Sequence, residues 1–364
     1  MYKKYFQEIN EKLAKTGKAI ISIGDSFVQG QGAIDEEIYR DNKVSTPRIG
    51  TPIHLMGEGD LPASEEDTIN FAKKYGFDYT VEQTHYGAPV NVNFEPMEYR
   101  NTFNKTLCNH YLNGEYASIN LGQSGRGNLA SFMDLLFLPE IDWHLIKQAI
   151  VIYVPTSPDR YDWVADTFND HHHFNTFWPH GLHGGPKESI RGLISTGYGD
   201  LYTHKLAILH QIGIVQQILL WCKAYNAELI ITPGFCHEEY TYKFMHKSLS
   251  MQIQRDSNLD KEDNDFHTQL EDVEKLINLW PWDKMFKPEG CTSFIGLAMK
   301  QENFREDHLG PRGSTKPWRK WHFDFIKTGS LNYWITPCAH PGKKTHDLFA
   351  KRLYQYAIEK NMLT

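Results

Sequence analysis

The chain has 364 residues, a formal net charge of −7 and 40% hydrophobic residues, enough for one large domain or two small ones. Acidic and basic residues are interspersed, so no field favours nucleic acid or an anionic membrane, and no charged tail is indicated. The opening Met-Tyr-Lys-Lys-Tyr-Phe-Gln-Glu has no signal-peptide apolar region, and no stretch approaches the roughly 18 apolar residues of a membrane span, so a cytoplasmic protein is expected.

Strand-like and helix-like segments alternate, the pattern of an α/β sheet. The first strand is Ala19–Ile23, an apolar run stopped by Gly24-Asp25-Ser26. A helix is predicted near Tyr99–Leu112, where Phe103, Leu107, Cys108 and Tyr111 recur at helical spacing. A second strand, Tyr116–Asn120, ends at the glycine-rich run 121–128, and a helix follows from Asn128 to Phe137. The third strand, Ala149–Val154, is continuously apolar and so expected to be buried on both faces. A long helix spans Tyr202–Tyr225, with Leu206, Leu209, Ile212, Val215, Ile218 and Leu219 on its buried side, and leads into a fourth strand, Glu228–Thr232. A weaker fifth strand is expected near Leu276–Phe286, and the last helix covers about Lys344–Lys360, with His346 expected to be exposed on it. The sum is a doubly wound parallel sheet in one domain, 1–364. Three segments rich in Gly, Pro, Asn, Asp and aromatics, about 41–97, 161–200 and 237–331, read as large loop insertions on it.

Five widely spaced cysteines, Cys108, Cys222, Cys236, Cys291 and Cys338, include no CxxC, which argues against a disulfide framework and for a reducing compartment. The aromatic content of 13% suits core packing, and also a carbohydrate-facing surface. His171, His172 and His173 are adjacent in a polar loop, with His180 and His183 nearby. Metal ligands need spacing that converges on one point, and these do not obviously converge, so no metal is assigned.

Candidate chemistry gathers at the strand ends. Ser26 stands at the carboxyl end of the first strand and at a helix start, where α/β sheets place ligand crevices and where backbone N–H groups and a helix dipole can face an oxyanion. Asp25 braces the turn rather than acting as an acid. A serine nucleophile needs a base within hydrogen-bond reach, and His340, just before the last helix, is the candidate. The glycines of 122–127 allow backbone N–H groups close to a substrate. Thr156, Ser157 and Arg160 follow the third strand, and Asn128 opens the helix after the second.

Gly24-Asp25-Ser26, Asn120-Leu121-Gly122-Gln123-Ser124-Gly125 and His340-Pro341 before a helix stand in the order of three sequence blocks of the SGNH/GDSL hydrolase family, which this chain resembles. The likeness covers the core elements, about half of the chain, and leaves the insertions unexplained. Pro-Glu-Ile-Asp-Trp (139–143) and Thr-Ser-Pro-Asp-Arg (156–160) are similar to stretches of SGNH-like proteins found in bacteriophages, which implies virion association as one context.

The resemblance implies a three-layer α/β/α, flavodoxin-like fold and a serine esterase acting on an O-acyl ester of a carbohydrate or small alcohol, with no cofactor. In that scheme Ser26 is the nucleophile, His340 the base, and the N–H of Gly125 an oxyanion donor. Asp25, Asn128, Thr156, Ser157 and Arg160 are substrate-binding candidates, and Thr156, Ser157 or Asn128 is the third oxyanion donor.

Two departures are visible. The family's third block carries an Asn in Gly-x-Asn-Asp, where this chain has Thr156-Ser157-Pro158-Asp159. Its fifth block has an Asp three residues before the histidine, where this chain has Pro337. A Ser-His dyad oriented by the carbonyl of Thr336 or Pro337 is compatible with these changes. So is a non-catalytic SGNH-fold binding or structural protein, and an acyltransferase would use the same residues.

Overall fold

The computed structural model describes residues 3–30, 33, 81–83, 89–91, 101–122, 127–138, 140–158, 161–166, 173–177, 204–234, 240–257, 264–303, 334 and 341–363. At its centre lies a four-stranded, all-parallel sheet. Its strands are β1 (Lys18–Gly24), β4 (Ala117–Asn120), β5 (Gln148–Val154) and β8 (Ala227–Ile231), in the spatial order β4-β1-β5-β8. Two small antiparallel pairs stand apart from it, β2 (Val81–Gln83) with β3 (Pro89–Asn91) and β6 (Tyr161–Asp166) with β7 (His173–Phe177).

Both faces of the sheet are covered, which is why its strands are apolar without alternation. Ala149, Val151 and Tyr153 of β5 join one core with Ala19, Ile21 and Ile23 of β1. Ile150, Ile152 and Val154 join the other with Ile20. Against the first face pack α1 (Lys3–Thr16), α4 (Asn128–Phe137), α5 (His204–Ala224), α6 (Tyr242–Ser257) and α7 (Asn264–Ile277). Against the second pack α2 (Ser26–Gln29), α3 (Phe103–Thr106), α8 (Phe294–Gln301) and α9 (Lys343–Glu359). The result is an α/β fold with a helical layer on each side of the sheet.

The faces follow from handedness. The chain passes from β1 to β4 by way of α3 on the second face, then doubles back past β1 to β5 by way of α4 on the first. It continues outward to β8 by way of α5, again on the first. Right-handed crossovers running in opposite directions must lie on opposite faces. The direction of winding therefore reverses between β1 and β5.

Edge strand β4 is protected by α1. Tyr5, Ile9 and Leu13 form the helix's buried stripe, and the Tyr5 hydroxyl accepts from the Asn120 N–H at 3.2 Å and donates to the Ser118 carbonyl at 3.4 Å. Pairing the edge in this way removes a template for intermolecular strand addition.

Three expectations are corrected here. No fifth strand runs over Leu276–Phe286. Leu276 and Ile277 end α7, 278–281 turn, Trp282–Lys284 form a short 3-10 turn, and Met285 alone makes a parallel bridge to Ile231. Proline and charge at Pro281-Trp282-Asp283-Lys284 prevent an extended run, so the fifth sheet position is reduced to one residue. Residues 240–257 and 264–303 also contribute helices and core side chains. Tyr240, Met245, Leu249, Val273, Ile277 and Trp280 enter the first core, and Phe286, Phe294, Leu297 and Met299 enter the second.

His346, expected on the exposed side of the last helix, is wholly buried. It lies on the same helical stripe as Phe349, Ala350, Leu353 and Ala357. Its ring stacks on Phe103 and meets Phe294 edge-on. Its Nδ1 accepts the Phe103 N–H at 3.1 Å, one of the orphan donors of the first turn of α3.

Candidate functional site

In an open parallel sheet, ligands bind outside the carboxyl ends of the strands where the winding reverses. Here that point is the gap between β1 and β5. Gly24-Asp25-Ser26 leaves β1 there, and Pro155-Thr156-Ser157 leaves β5.

The β1 end turns at once into α2, which is a single turn long. Asp25 is 1% exposed, and its Oδ1 accepts the Phe27 N–H at 3.0 Å. Its carbonyl accepts the N–H groups of Val28 at 3.1 Å and Gln29 at 3.0 Å. The carboxylate thus caps α2 and braces the turn. One turn aligns few peptide dipoles, so the helix field expected at Ser26 is correspondingly small. A Cβ on Gly24 would lie 2.6 Å from both the Val154 carbonyl oxygen and Val28 Cγ2, so only glycine fits between β5 and α2.

The segment after β4 is locked onto this turn. The Asn120 side chain donates to the Val28 carbonyl at 2.9 Å and accepts the Gly122 N–H at 2.9 Å. The Leu121 N–H donates to the Ser22 carbonyl at 2.9 Å. Gly122 passes so close that a Cβ on it would fall 2.3 Å from Gln29 N. Beneath them Asn104 Nδ2 contacts three acceptors, the Ile119 carbonyl at 2.9 Å, Ser22 Oγ at 3.0 Å and the Ile20 carbonyl at 3.3 Å.

The β5 end is held from the other helical layer. The Thr156 N–H donates to Asn128 Oδ1 at 2.9 Å, while Asn128 Nδ2 donates back to the Thr156 carbonyl at 3.1 Å and to Tyr240 Oη at 3.3 Å. The Tyr240 hydroxyl donates to the same Thr156 carbonyl. The amide oxygen and the amide nitrogen of Asn128 are both bonded to the Thr156 backbone, so this side chain positions the β5 end. Ser131 of α4 donates its hydroxyl toward the Gly24 carbonyl at 3.1 Å and the Gly127 carbonyl at 2.9 Å, tying α4 to the β1 end. Thr156, Ser157 and Asn128 are all buried.

The structure therefore brings together the backbone at Ser26 with Asp25, Asn120, Gly122, Asn128, Thr156 and Ser157. The side chain of Ser26, and Gly125, His340 and Arg160 entirely, lie outside the described residues. Tyr240, Ser131 and Asn104 were missed by sequence reasoning. Each is a single polar residue on an otherwise unremarkable helix or loop, with no local pattern to mark it.

Two thiols are excluded as alternative nucleophiles. Burial pushes Cys108 and Cys222 up to about 12, so neither carries thiolate near neutrality. Among the described residues, no cluster of His, Cys, Asp and Glu is arranged to hold a metal, and no helix is long and apolar enough to cross a membrane.

Fold and site together define an α/β protein with a doubly wound parallel sheet whose winding reverses between β1 and β5. Compared with protein-family models, curated proteins and solved structures, the chain gives no match.

Proposed function

We propose that this protein is an SGNH/GDSL-type serine esterase that cleaves an O-acyl ester, with a glycan or small alcohol as the leaving group. The observation that carries this reading is the convergence of Gly24-Asp25-Ser26 with Asn120-Leu121-Gly122 beside the gap where the winding reverses. Gly122 of the second block meets the backbone of Val28 and Gln29, in the turn that Gly24-Asp25-Ser26 opens, from nearly a hundred positions away, and α/β sheets place their ligand crevices at such strand ends.

In this reading Ser26 Oγ attacks the ester carbonyl and His340 takes the proton. The base then returns that proton to the leaving alcohol, and water releases the acyl group from Ser26. The N–H groups of Ser26 and Gly125 face the oxyanion. Asp25 caps α2 and takes no part in proton transfer. No cofactor or metal enters the scheme. An ester suits it better than an amide, because a base without a partner carboxylate favours a good leaving group.

The test is an acyl-ester panel with wild type and Ser26→Ala, alongside a fluorophosphonate probe. Turnover and labelling that both vanish in Ser26→Ala support the assignment. Equal turnover by the two proteins sinks it.

One observation favours a second reading, a binding or structural protein on the same fold. The third strand-end loop carries no asparagine, and the nearby Asn128 is bonded to the Thr156 backbone through both its amide oxygen and its amide nitrogen. A Ser26 that stays unlabelled across several pH values and probe concentrations selects this second reading.

A further inference from the structure

His346 is an ionisable side chain shut into the second core, at 0% exposure. Its ring lies parallel to that of Phe103, with centroids 5.8 Å apart, and meets Phe294 edge-on at 5.0 Å. Its Nδ1 accepts the Phe103 N–H at 3.1 Å, so a residue of α9 caps the first turn of α3 from 243 positions away. A backbone N–H can only donate. The bond therefore needs the Nδ1 lone pair, which an imidazolium ring lacks. The fold holds His346 neutral, and the joint between α9 and α3 depends on that state.

The surrounding contacts tie this bond to the whole joint. Thr106 Oγ1 of α3 donates to Asp347 Oδ1 at 3.1 Å. Thr345 Oγ1 and the Gly342 N–H both donate to the Trp334 carbonyl, at 2.5 Å and 2.7 Å, and fix where the chain enters α9. Phe349, one turn further along α9, meets Phe103 edge-on at 5.0 Å.

The elements around the ring bring little charge to it. On α9, Lys343 pairs with Asp347 at 2.6 Å and Lys344 lies over the Trp334 ring. Asp347 is the next residue along the helix, and adjacent helical residues do not face each other. On α3 and the turn after it stand Lys105, Cys108 and His110, and burial pushes the Cys108 thiol up to about 12, so it is uncharged. Helix α8 is apolar from Phe294 to Met299. Beyond that stretch, Lys300 pairs with Glu289, and Glu302 accepts the Trp334 N–H at 3.0 Å.

We propose that His346 is an acid-operated latch between α9 and α3. Neutral, it clamps the two helices. A proton taken from solvent onto Nδ1 fills the lone pair, sets that N–H against the Phe103 N–H and places a charge among Phe103, Phe294 and Phe349, and the first turns of α9 part from α3. In the unfolded chain the imidazole meets water and takes up its proton near the ordinary value of about 6.5. Below that pH the unfolded state binds one more proton at this site than the latched state. Stability is therefore lost as pH falls, by about tenfold in the unfolding constant per pH unit.

The chain has 18 histidines, so the acid slope of the wild type alone decides nothing. The experiment compares wild type with His346→Asn, whose side-chain oxygen stands where Nδ1 does and accepts without titrating. Urea unfolding is followed from pH 8 to pH 5, together with hydrogen exchange at the Phe103 amide. Below about pH 6 the wild-type unfolding constant should gain an extra factor of about ten per pH unit over the variant. The protection of the Phe103 amide should fall over the same range in wild type and stay level in His346→Asn. Parallel pH profiles for the two proteins overturn the proposal. Ring-nitrogen chemical shifts of His346 in folded wild type decide the matter without a variant. Nδ1 should be unprotonated at pH 7, and its protonation should coincide with loss of protection at Phe103. A ring already charged at pH 7, or one that titrates while Phe103 stays protected, overturns the latch as well.

Discussion

The carboxyl ends of β1 and β5 lie side by side in the same sheet, yet they are held in opposite ways. At β1 the turn into α2 is capped within a few residues, since the Asp25 carboxylate and carbonyl take the N–H groups of Phe27, Val28 and Gln29, and Ser131 and Asn120 add ties from elsewhere to the Gly24 and Val28 carbonyls. At β5 the partners come from far along the chain, Asn128 at a separation of 28 residues and Tyr240 at 84. The first end carries its own local cap. The second exists only once α4 and the segment after β8 have docked on the first face. The difference also separates architecture from chemistry. Backbone atoms at both ends are bonded, and the hydroxyl of Thr156 is left over.

Substitutions can break this contrast in graded steps. The largest expected effect is Gly122→Ala, because the added Cβ meets the backbone at Gln29 and Val28, which cannot yield as a flexible side chain would. Overpacking of this kind should cost about 3 kcal/mol or more, read as a lowered urea midpoint with an unchanged slope. Asn128→Ala comes next. It removes an acceptor and a donor from a buried strand end at once, for a loss of about 2–3 kcal/mol, and it should disorder the β5 end while leaving the Asp25 turn intact. Hydrogen exchange at Thr156 against Phe27 checks that selectivity. Asp25→Ala removes one helix cap and should cost about 1 kcal/mol, confined to the β1 end.

A control lies away from both ends. Glu289 is held by Arg352 of α9, whose Nε donates at 2.9 Å, and by Gln301 of α8 at 3.2 Å. The Arg352 hydrogen bond and charge keep its carboxyl below the usual range, with Lys300 adding to the effect. A lowered folded-state value means stability that is present above the unfolded pKa of about 4.3 and lost as pH falls through the folded one. Glu289→Gln should therefore melt lower than wild type at pH 7, with the gap closing in acid. Neither strand end should respond.

The smallest expected signal is the sharpest reporter. Cys108 sits under β1 and β4, and Cys222 lies on α5 beside β8. Burial pushes both thiols up to about 12, so neither should react with a thiol reagent at pH 8 in the native protein. Peptide mapping of labelled variants should show Cys108 reacting first in Gly122→Ala, and Cys222 first in Asn128→Ala.

Much of the sheet was legible because it obeys short-range rules. Ala19–Ile23 and Ala149–Val154 are apolar without interruption, which marks strands covered on both faces. The helix at Asn128–Phe137 matched its prediction residue for residue. His346 was misread because histidine looks polar in isolation, although its spacing from Phe349, Leu353 and Ala357 already placed it on the buried stripe. Helices α6 and α7 went unread because their sequences are strongly polar and charged, although Val273 and Ile277 hold helical spacing. The fifth strand failed because a run of apolar residues near a turn fits either helix or strand.

Within the candidate site, the sequence by itself determined the turn at Gly24-Asp25-Ser26 and its cap, since a carboxylate one residue before a helix bonds its own neighbours. It also marked glycines where backbones must pass closely. Only the tertiary structure decided the strand order that puts β5 beside β1, the pairing of Gly24 with Val154, and the clamp of Asn128 and Tyr240 on Thr156. Those contacts join residues far apart in the chain, and their geometry is set by which face each crossover takes. Pattern and propensity act over a few residues, whereas a strand-end crevice is assembled by packing across the whole sheet.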